Sequence, residues 1–241
     1  MARRFFIEKD IEVEEEFKIE GEEAKHIMVL RHNIGDEILV NDKVCKIKDI
    51  TKKGIICVAV SLEKRKEEPN IKITLFQSLL KSDKLEFVIQ KCVELGIYKI
   101  IPFMSKNVVV KVEEKDKIKK SIRWNKISLE ASKQCGRSDI VKVEDMITFP
   151  EMINVLKDFE LVILAYENET KKLKEVINKN LKVKNIAIII GPEGGFEKDE
   201  VQEILRQNNA NSVSLGSRIL RAETASLNLV SILMYEFGEQ Y

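Results

Sequence analysis

The stretch IAIIIGPEGGF, residues Ile186–Phe196, is an apolar run that breaks into a glycine-rich loop. A second stretch, SVSLGSRILRAETA at Ser212–Ala225, has the same order of features: a short strand-like segment, a Gly-bearing loop and the start of a helix. Ligands of open α/β sheets bind in the crevice at the carboxyl ends of the strands. The two stretches therefore predict an α/β fold in which both loops contribute to one binding site.

The rest of the chain divides into two parts with different patterns. Residues 1–68 combine one amphipathic helix with short strands separated by turns, which predicts a small β-barrel or sandwich. From residue 71 onward strands and helices alternate, which predicts a mostly parallel sheet with helices on both faces. The charged segment 63–70 contains Pro69 and is the predicted linker. We expect one domain at 1–68 and another at 71–241.

Composition narrows the class of protein. Of the 241 residues 44% are hydrophobic, enough for a buried core, so global disorder is excluded. The formal net charge of +1 argues against a uniformly basic surface for nucleic acid but permits a local basic patch. The four cysteines form no C-x-x-C pair and are expected to be reduced thiols. Without a signal peptide or a long apolar segment, the sequence predicts a soluble, cytoplasmic protein.

The glycine-rich loop matches no common phosphate-binding motif. It lacks the Gly-Lys-Ser/Thr ending of a Walker loop, and the chain has no G-x-G-x-x-G fingerprint. Gly194 and Gly195 nevertheless allow the backbone to approach a ligand closely, and Pro192 stiffens the entry to the loop. A simple turn is the alternative interpretation of this loop taken alone.

Two other kinds of site are disfavoured. His26 and His32 are accompanied by no cysteine or acidic cluster, so the sequence predicts no metal site. No G-x-S-x-G elbow is present, and both histidines fall in the small domain, so a hydrolytic triad is disfavoured.

Two regions carry cations that point to an anionic ligand. Arg218 and Arg221 lie within the second Gly-bearing loop, where they predict anion recognition. Thr224 either caps the following helix or bonds a ligand, and Glu223 favours the helix dipole. The long predicted helix at 115–135 is locally basic. The basic face of this helix has two interpretations. It is either a solvated face on a helix with a core tryptophan, or a face that follows the phosphates of a polynucleotide.

The paired loops resemble those of the RsmE family of ribosomal RNA methyltransferases, in the SPOUT superfamily. The likeness is most specific in Ile190–Phe196 and Leu215–Ala225, and it extends over nearly the whole chain. Arg3-Arg4-Phe5-Phe6 matches the N-terminal pattern of the family, and Arg123-Trp124 matches its central helix. Asp139 and Val141 depart from the family, whose members often carry a basic residue and a proline in this region.

The resemblance implies a fold and an activity. The fold is a SPOUT-type parallel sheet with a deep trefoil knot, preceded by a small PUA-like β-barrel that binds RNA, usually in a homodimer. The activity is transfer of a methyl group from S-adenosylmethionine to N3 of a uridine in small-subunit (16S) ribosomal RNA. The alternatives are a non-enzymatic RNA-binding or ribosome assembly factor and a nucleotide-binding phosphotransferase.

The resemblance also implies roles for particular residues. The cofactor lies in the knot, and its predicted binding residues are Leu164, Ala165, Tyr166, Gly191, Pro192, Glu193, Gly194, Gly195, Leu215, Gly216, Ser217, Ile219, Leu220, Thr224 and Ala225. Arg221 and Arg218 are the catalytic candidates, since they lie beside the predicted methyl donor and can stabilise a uridinate. The predicted RNA-binding residues are Arg3, Arg4, Arg31, Arg123, Lys133 and Arg137. The sequence offers no convincing catalytic base.

Overall fold

The computed structural model describes residues 3–63, 69–81, 83–110 and 112–238. The chain forms two compact units. The first contains Met1–Glu67 together with Ser132–Ile140, and the second contains Glu68–Ala131 and Val141–Tyr241. The end of the central helix and the loop after it thus group with the N-terminal unit, which no local pattern in the sequence indicates.

The N-terminal unit is a five-stranded sheet with one helix. Its elements are β1 (Arg4–Phe5), β2 (Glu16–Ile19), α1 (Gly21–Val29), β3 (Glu37–Val40), β4 (Lys43–Thr51) and β5 (Gly54–Leu62). The strand order is β1-β3-β4-β5-β2, and only the β1–β3 pair is parallel. Phe5, Ile27 and Ile38 are fully buried in its core.

The tight turn between β4 and β5 ends at Gly54, which lies close to the backbone of β2. Gly54 has a φ of +147°, and a Cβ there would lie 2.5 Å from the carbonyl oxygen of Ile19. Only glycine fits so close to a neighbouring backbone. Strands β3, β4 and β5 are the short strands separated by turns that the sequence predicted. Strands β1 and β2 were not predicted, because such short strands carry little alternation.

The second unit alternates strands and helices as predicted. Its elements are β6 (Lys72–Ser78), α2 (Lys84–Glu94), β7 (Lys99–Met104), α3 (Glu114–Cys135), β8 (Lys142–Val143), β9 (Ile147–Thr148), α4 (Phe149–Val155), a 3-10 turn (Leu156–Asp158), β10 (Leu161–Ala165), α5 (Leu173–Lys179), β11 (Asn185–Ile190), α6 (Lys198–Leu205), β12 (Ala210–Val213), α7 (Ala222–Leu233) and a π-helical turn (Met234–Gly238). The strand order is β12-β10-β11-β6-β7-β8, with β9 also on β7. All of these strand pairs are parallel.

Apolar cores cover both faces of this sheet. Ile188 packs in the core that includes α2, α5 and α7, while its neighbour Ile189 packs in the core that includes α4 and α6. A parallel strand that is buried on both faces has a continuous apolar sequence. Burial on both faces explains why the sequence IAIII of β11 predicted a central strand. The observed sheet confirms the predicted α/β fold with a parallel sheet.

Two local features differ from the sequence expectations, and one open alternative is decided. Helix α4 was not predicted, although Thr148 and Glu151 form a capping box at its start, with Thr148 N donating to Glu151 Oε2 at 2.7 Å. The last strand, Ala210–Val213, begins two residues before the strand-like segment that starts at Ser212, and Leu215 belongs to the following loop. Trp124 is only 3% exposed, which confirms the core interpretation of that side chain. No helix within the described residues is both long and apolar enough to cross a membrane.

Candidate functional site

A cavity of about 730 Å³ opens at the carboxyl ends of β10, β11 and β12. Its walls are the segments that follow these neighbouring strands, at 165–167, 190–196 and 214–222. This is the position that the two loop motifs predicted, and it arises because parallel neighbours end at the same edge of the sheet.

The structure brings nearly all the predicted cofactor-binding residues and both catalytic candidates into the cavity wall. Leu164 and Thr224 are the exceptions and lie outside the wall. The Leu164 side chain is fully buried between β10 and the helices, and Thr224 faces solvent in the first turn of α7. The wall also contains residues that the predicted set omitted: Lys84, Glu167, Ile190, Phe196, Ser214 and Ala222. All of these except Lys84 are next to a predicted residue in the sequence. Extending each predicted segment by one residue would have included them.

Neighbouring residues pack directly against the backbone of the glycine-rich loop and leave little space for side chains there. A Cβ on Gly194 would lie 3.1 Å from both the Cβ and the carbonyl oxygen of Asn107, which follows β7. Asn107 Nδ2 in turn donates to the carbonyl oxygen of Gly195 at 3.3 Å and to Glu197 Oε1 at 3.0 Å. Gly195 has a φ of +70°, and a Cβ there would lie 3.0 Å from Glu167 Oε1. The loop therefore requires glycine at 195, where the backbone is left-handed, and leaves little room for a side chain at 194.

Lys84 links the two motif loops through their carboxylates. Its Nζ lies 3.2 Å from Glu193 in the first loop and 3.7 Å from Glu223 in the first turn of α7. Partial loss of hydration raises the pKa of Glu193, but hydrogen bonds from backbone N–H groups, including that of Lys81, and from Lys84 outweigh it, so the pKa lies below its usual value. Glu193 is therefore ionised near neutral pH, and Lys84 is matched to carboxylates within the protein.

Arg218 and Arg221 are the cations of the wall that lack such partners. Both side chains are exposed, and neither forms an ion pair with any residue that the structure describes. Ile219, between them, is 85% exposed. Two unpaired guanidinium groups beside a glycine-lined cavity can bind an anion or stabilise a negative charge that develops there.

Below the cavity a buried polar contact fixes the start of α7. Ser226 Oγ lies 2.5 Å from Gln77 Oε1 in β6 and 2.9 Å from the carbonyl oxygen of Ala222. Both side chains are fully buried. This contact holds the helix that follows the second loop against the central strand. In the described part of the chain no three His, Cys, Asp or Glu side chains are grouped as metal ligands.

Two of the predicted RNA-binding residues, Arg4 and Lys133, form ion pairs within the N-terminal unit. The Arg4 side chain is 4% exposed and donates to both carboxylate oxygens of Glu63, at 2.6 and 2.7 Å. The Lys133 side chain is 7% exposed and pairs with Glu23. Both cations are held inside the N-terminal unit by carboxylates of the same unit, and their contact with RNA stays a prediction.

The other predicted RNA-binding residues differ in their availability. Arg3 and Arg31 are exposed. Arg123 is exposed but pairs with Glu86 at 2.7 Å. The Arg137 side chain is 10% exposed and lies 3.5 Å from Asp139, the residue at which the chain departs from the family pattern. Arg3 and Arg31 are thus the most accessible members of the predicted set.

Arg4→Ala is expected to lower the free energy of unfolding by about 2–4 kcal/mol, because it leaves the Glu63 carboxylate without its partner. Arg3→Ala, a neighbouring exposed cation, should change it by less than about 0.5 kcal/mol. Urea titration of the full chain measures both variants. Equal stabilities, with RNA binding lost only in Arg4→Ala, would restore the interpretation of Arg4 as an RNA contact.

Comparison with known proteins gives one consistent class. Residues 66–234 match the family model described as an RNA methyltransferase domain. The ribosomal RNA small subunit methyltransferase E of Bacillus subtilis is 34% identical, over 97% of this chain and 96% of that protein. The enzyme of the same name from Aquifex aeolicus is also 34% identical, over 88% and 91%.

Solved structures resemble the whole chain as well. The crystal structure of a ribosomal RNA small subunit methyltransferase E from Neisseria gonorrhoeae, bound to S-adenosyl methionine, superposes with a TM-score of 0.90 at 25% identity, covering 99% of each chain. A methyltransferase from Legionella pneumophila in complex with S-adenosyl methionine superposes with a TM-score of 0.90 at 26% identity, covering 100% of each chain.

Proposed function

This chain belongs to the ribosomal RNA small subunit methyltransferase E family, and from that premise we propose that its cavity binds S-adenosylmethionine for methylation of a uridine at N3 in 16S ribosomal RNA. The protein is an S-adenosylmethionine-dependent methyltransferase of small-subunit ribosomal RNA. The observation that carries the proposed site is the cavity itself, at the carboxyl ends of three adjacent strands. It joins both glycine loops to two arginines that form no ion pair with any described residue.

The residues present fit such a cofactor. Glycine at 191, 194 and 195 keeps the first loop free of side chains where it lines the cavity, so the backbone can approach a ligand closely. The second wall contains Leu215 and Leu220. A concave cavity with apolar residues and a few convergent polar groups is typical of a small-molecule site. Bound S-adenosylmethionine supplies the methyl group as a sulfonium.

The protein contributes to the reaction by positioning the two reactants and by stabilising the charge that develops. The loops hold donor and acceptor in line, which can account for much of the rate acceleration. Uridine N3 carries a proton and becomes nucleophilic as that proton leaves, so negative charge develops on the uracil ring. Arg221 and Arg218 can stabilise that charge because no carboxylate of the described residues neutralises them.

The finer features of the fold and assembly belong to the same proposal. The trefoil knot is supported by the path of the chain, which leaves edge strand β12 and returns to pack α7 against α2, β6 and β11. The N-terminal sheet is proposed to be the PUA-like RNA-binding domain, with the boundaries 1–68 and 71–241. A homodimer acting in the cytoplasm on the small ribosomal subunit or its RNA completes the proposal, on the likeness to the family.

The test is a pair of measurements on the purified protein. Calorimetric titration with S-adenosylhomocysteine should show saturable binding, and titration with ATP and Mg²⁺ should show none. Incubation with S-adenosylmethionine and 16S ribosomal RNA or small subunits that lack the modification should then yield N3-methyluridine. RNA binding without affinity for the homocysteine analogue would instead identify a non-enzymatic assembly factor.

A further inference from the structure

One carboxylate of the cavity wall has no role in the site as described so far. Glu167 follows the end of β10, and its side chain lines the cavity. It is exposed, and it forms no hydrogen bond or ion pair with any residue in the described ranges. Its Oε1 lies over the glycine loop, 3.0 Å from the place where a Cβ on Gly195 would be.

The neighbouring carboxylates all have partners. Glu193, the other carboxylate of the wall, pairs with Lys84 at 3.2 Å. Glu169, two residues after Glu167, accepts hydrogen bonds from the backbone N–H groups of Thr170 and Lys171 at 2.7 and 3.1 Å and from Ser212. Glu167 thus brings an uncompensated negative charge to the cavity, at the point where the first glycine loop approaches the end of β10.

We propose that Glu167 binds the α-ammonium group of the methionine part of the cofactor. The inference rests on the proposed function, since it concerns the same cavity. An ammonium group presents three N–H donors and a full positive charge, and a charge-assisted hydrogen bond to carboxylate is the strong form of this contact. The glycine at 195 leaves room for that group beside Oε1.

The sulfonium is the other cationic centre of the cofactor. The chemistry of methyl transfer disfavours it as the group that Glu167 binds. When the S–CH3 bond breaks, its electron pair stays on sulfur, the methyl group bonds to N3, and the sulfur becomes neutral. A carboxylate beside the sulfonium would stabilise the charged reactant more than the transition state and would slow the transfer. The ammonium keeps its charge throughout, so a carboxylate there contributes equally to binding before and after transfer.

This assignment predicts a specific pattern of affinities. Glu167→Gln keeps the shape and removes the charge. It should weaken S-adenosylmethionine and S-adenosylhomocysteine by the same factor, about tenfold, because both carry the ammonium group. It should leave 5′-methylthioadenosine within about twofold, because that thioether nucleoside lacks the amino acid part. The matched control is Glu203→Gln, an exposed carboxylate on α6 outside the wall, which should alter none of the three.

Calorimetric titration of the wild type and both variants with the three ligands measures this pattern without recourse to turnover. Loss confined to S-adenosylmethionine would place Glu167 at the sulfonium and overturn the inference. Equal loss for all three ligands would mean that Glu167 supports the loop, and unchanged affinities would mean that it makes no contact. A wild type that binds none of the three would instead refute the proposed function, and the inference with it.

Discussion

Arg221→Ala is expected to lower the single-turnover rate of methyl transfer by about 10²–10³-fold, the usual consequence of removing one group that stabilises developing charge. Affinity for S-adenosylhomocysteine should stay within about twofold, because the proposed cofactor contacts in this loop are made by backbone. The physical reason for the large effect is that Arg221 lines the cavity with no carboxylate among the described residues to neutralise it.

The matched control for Arg221→Ala is Arg206→Ala. Arg206 is an exposed arginine at the end of α6, outside the cavity wall, so its removal changes the net charge equally. Rates are measured under single turnover with saturating RNA, so that weaker RNA binding does not enter. An unchanged rate in Arg221→Ala would remove this residue from the mechanism and leave Arg218 as the remaining arginine of the wall.

Gly195→Val is expected to weaken S-adenosylhomocysteine binding by about 100-fold. The residue has a φ of +70°, where an L side chain costs roughly 1–2 kcal/mol, and a β-branched one costs more. Its Cβ would also meet Glu167 Oε1 at 3.0 Å and place methyl groups beside the cavity. A loop that relieves this strain by shifting its backbone loses contacts with the cofactor, and a loss of about 3 kcal/mol in binding free energy corresponds to two decades in affinity.

The control for this variant separates backbone strain from damage to the site. Gly21 has a similar φ of +68°, begins α1 in the other unit, and would have nothing within 4 Å of its Cβ. Gly21→Val should therefore lower stability by a similar amount and leave cofactor affinity intact. Titration of both variants, with a thermal melt of each, makes the comparison. Equal affinities in the two variants would show that the glycine loop is not the cofactor site.

Much of the fold was predictable because it depends on local patterns. The apolar runs of β10 and β11 identify strands buried on both faces, and the glycine at 96 marks the end of α2 with a φ of +95°. Elements that escaped prediction were short. Strand β1 has two residues and α4 has seven, so neither extends over enough turns or alternations to show a period.

The availability of charged side chains was not predictable from local patterns. Arg4 and Arg3 are adjacent in sequence, yet one is buried against a carboxylate 59 residues away and the other faces solvent. In the same way, Lys84 is held at the cavity by a hydrogen bond to Glu193, which lies 109 residues later in the sequence. An ion pair depends on which distant segments the fold brings together, and no local pattern records that.

The sequence by itself determined the parallel sheet, the two glycine loops and their common position at the carboxyl ends of the strands. These follow from hydrophobic period and from backbone requirements at particular residues, which are local properties. Only the tertiary structure decided which cations are neutralised within the protein and which carboxylate is left unpaired in the cavity. Charges interact through space over a few ångströms, so their pairing is fixed only when the chain has folded.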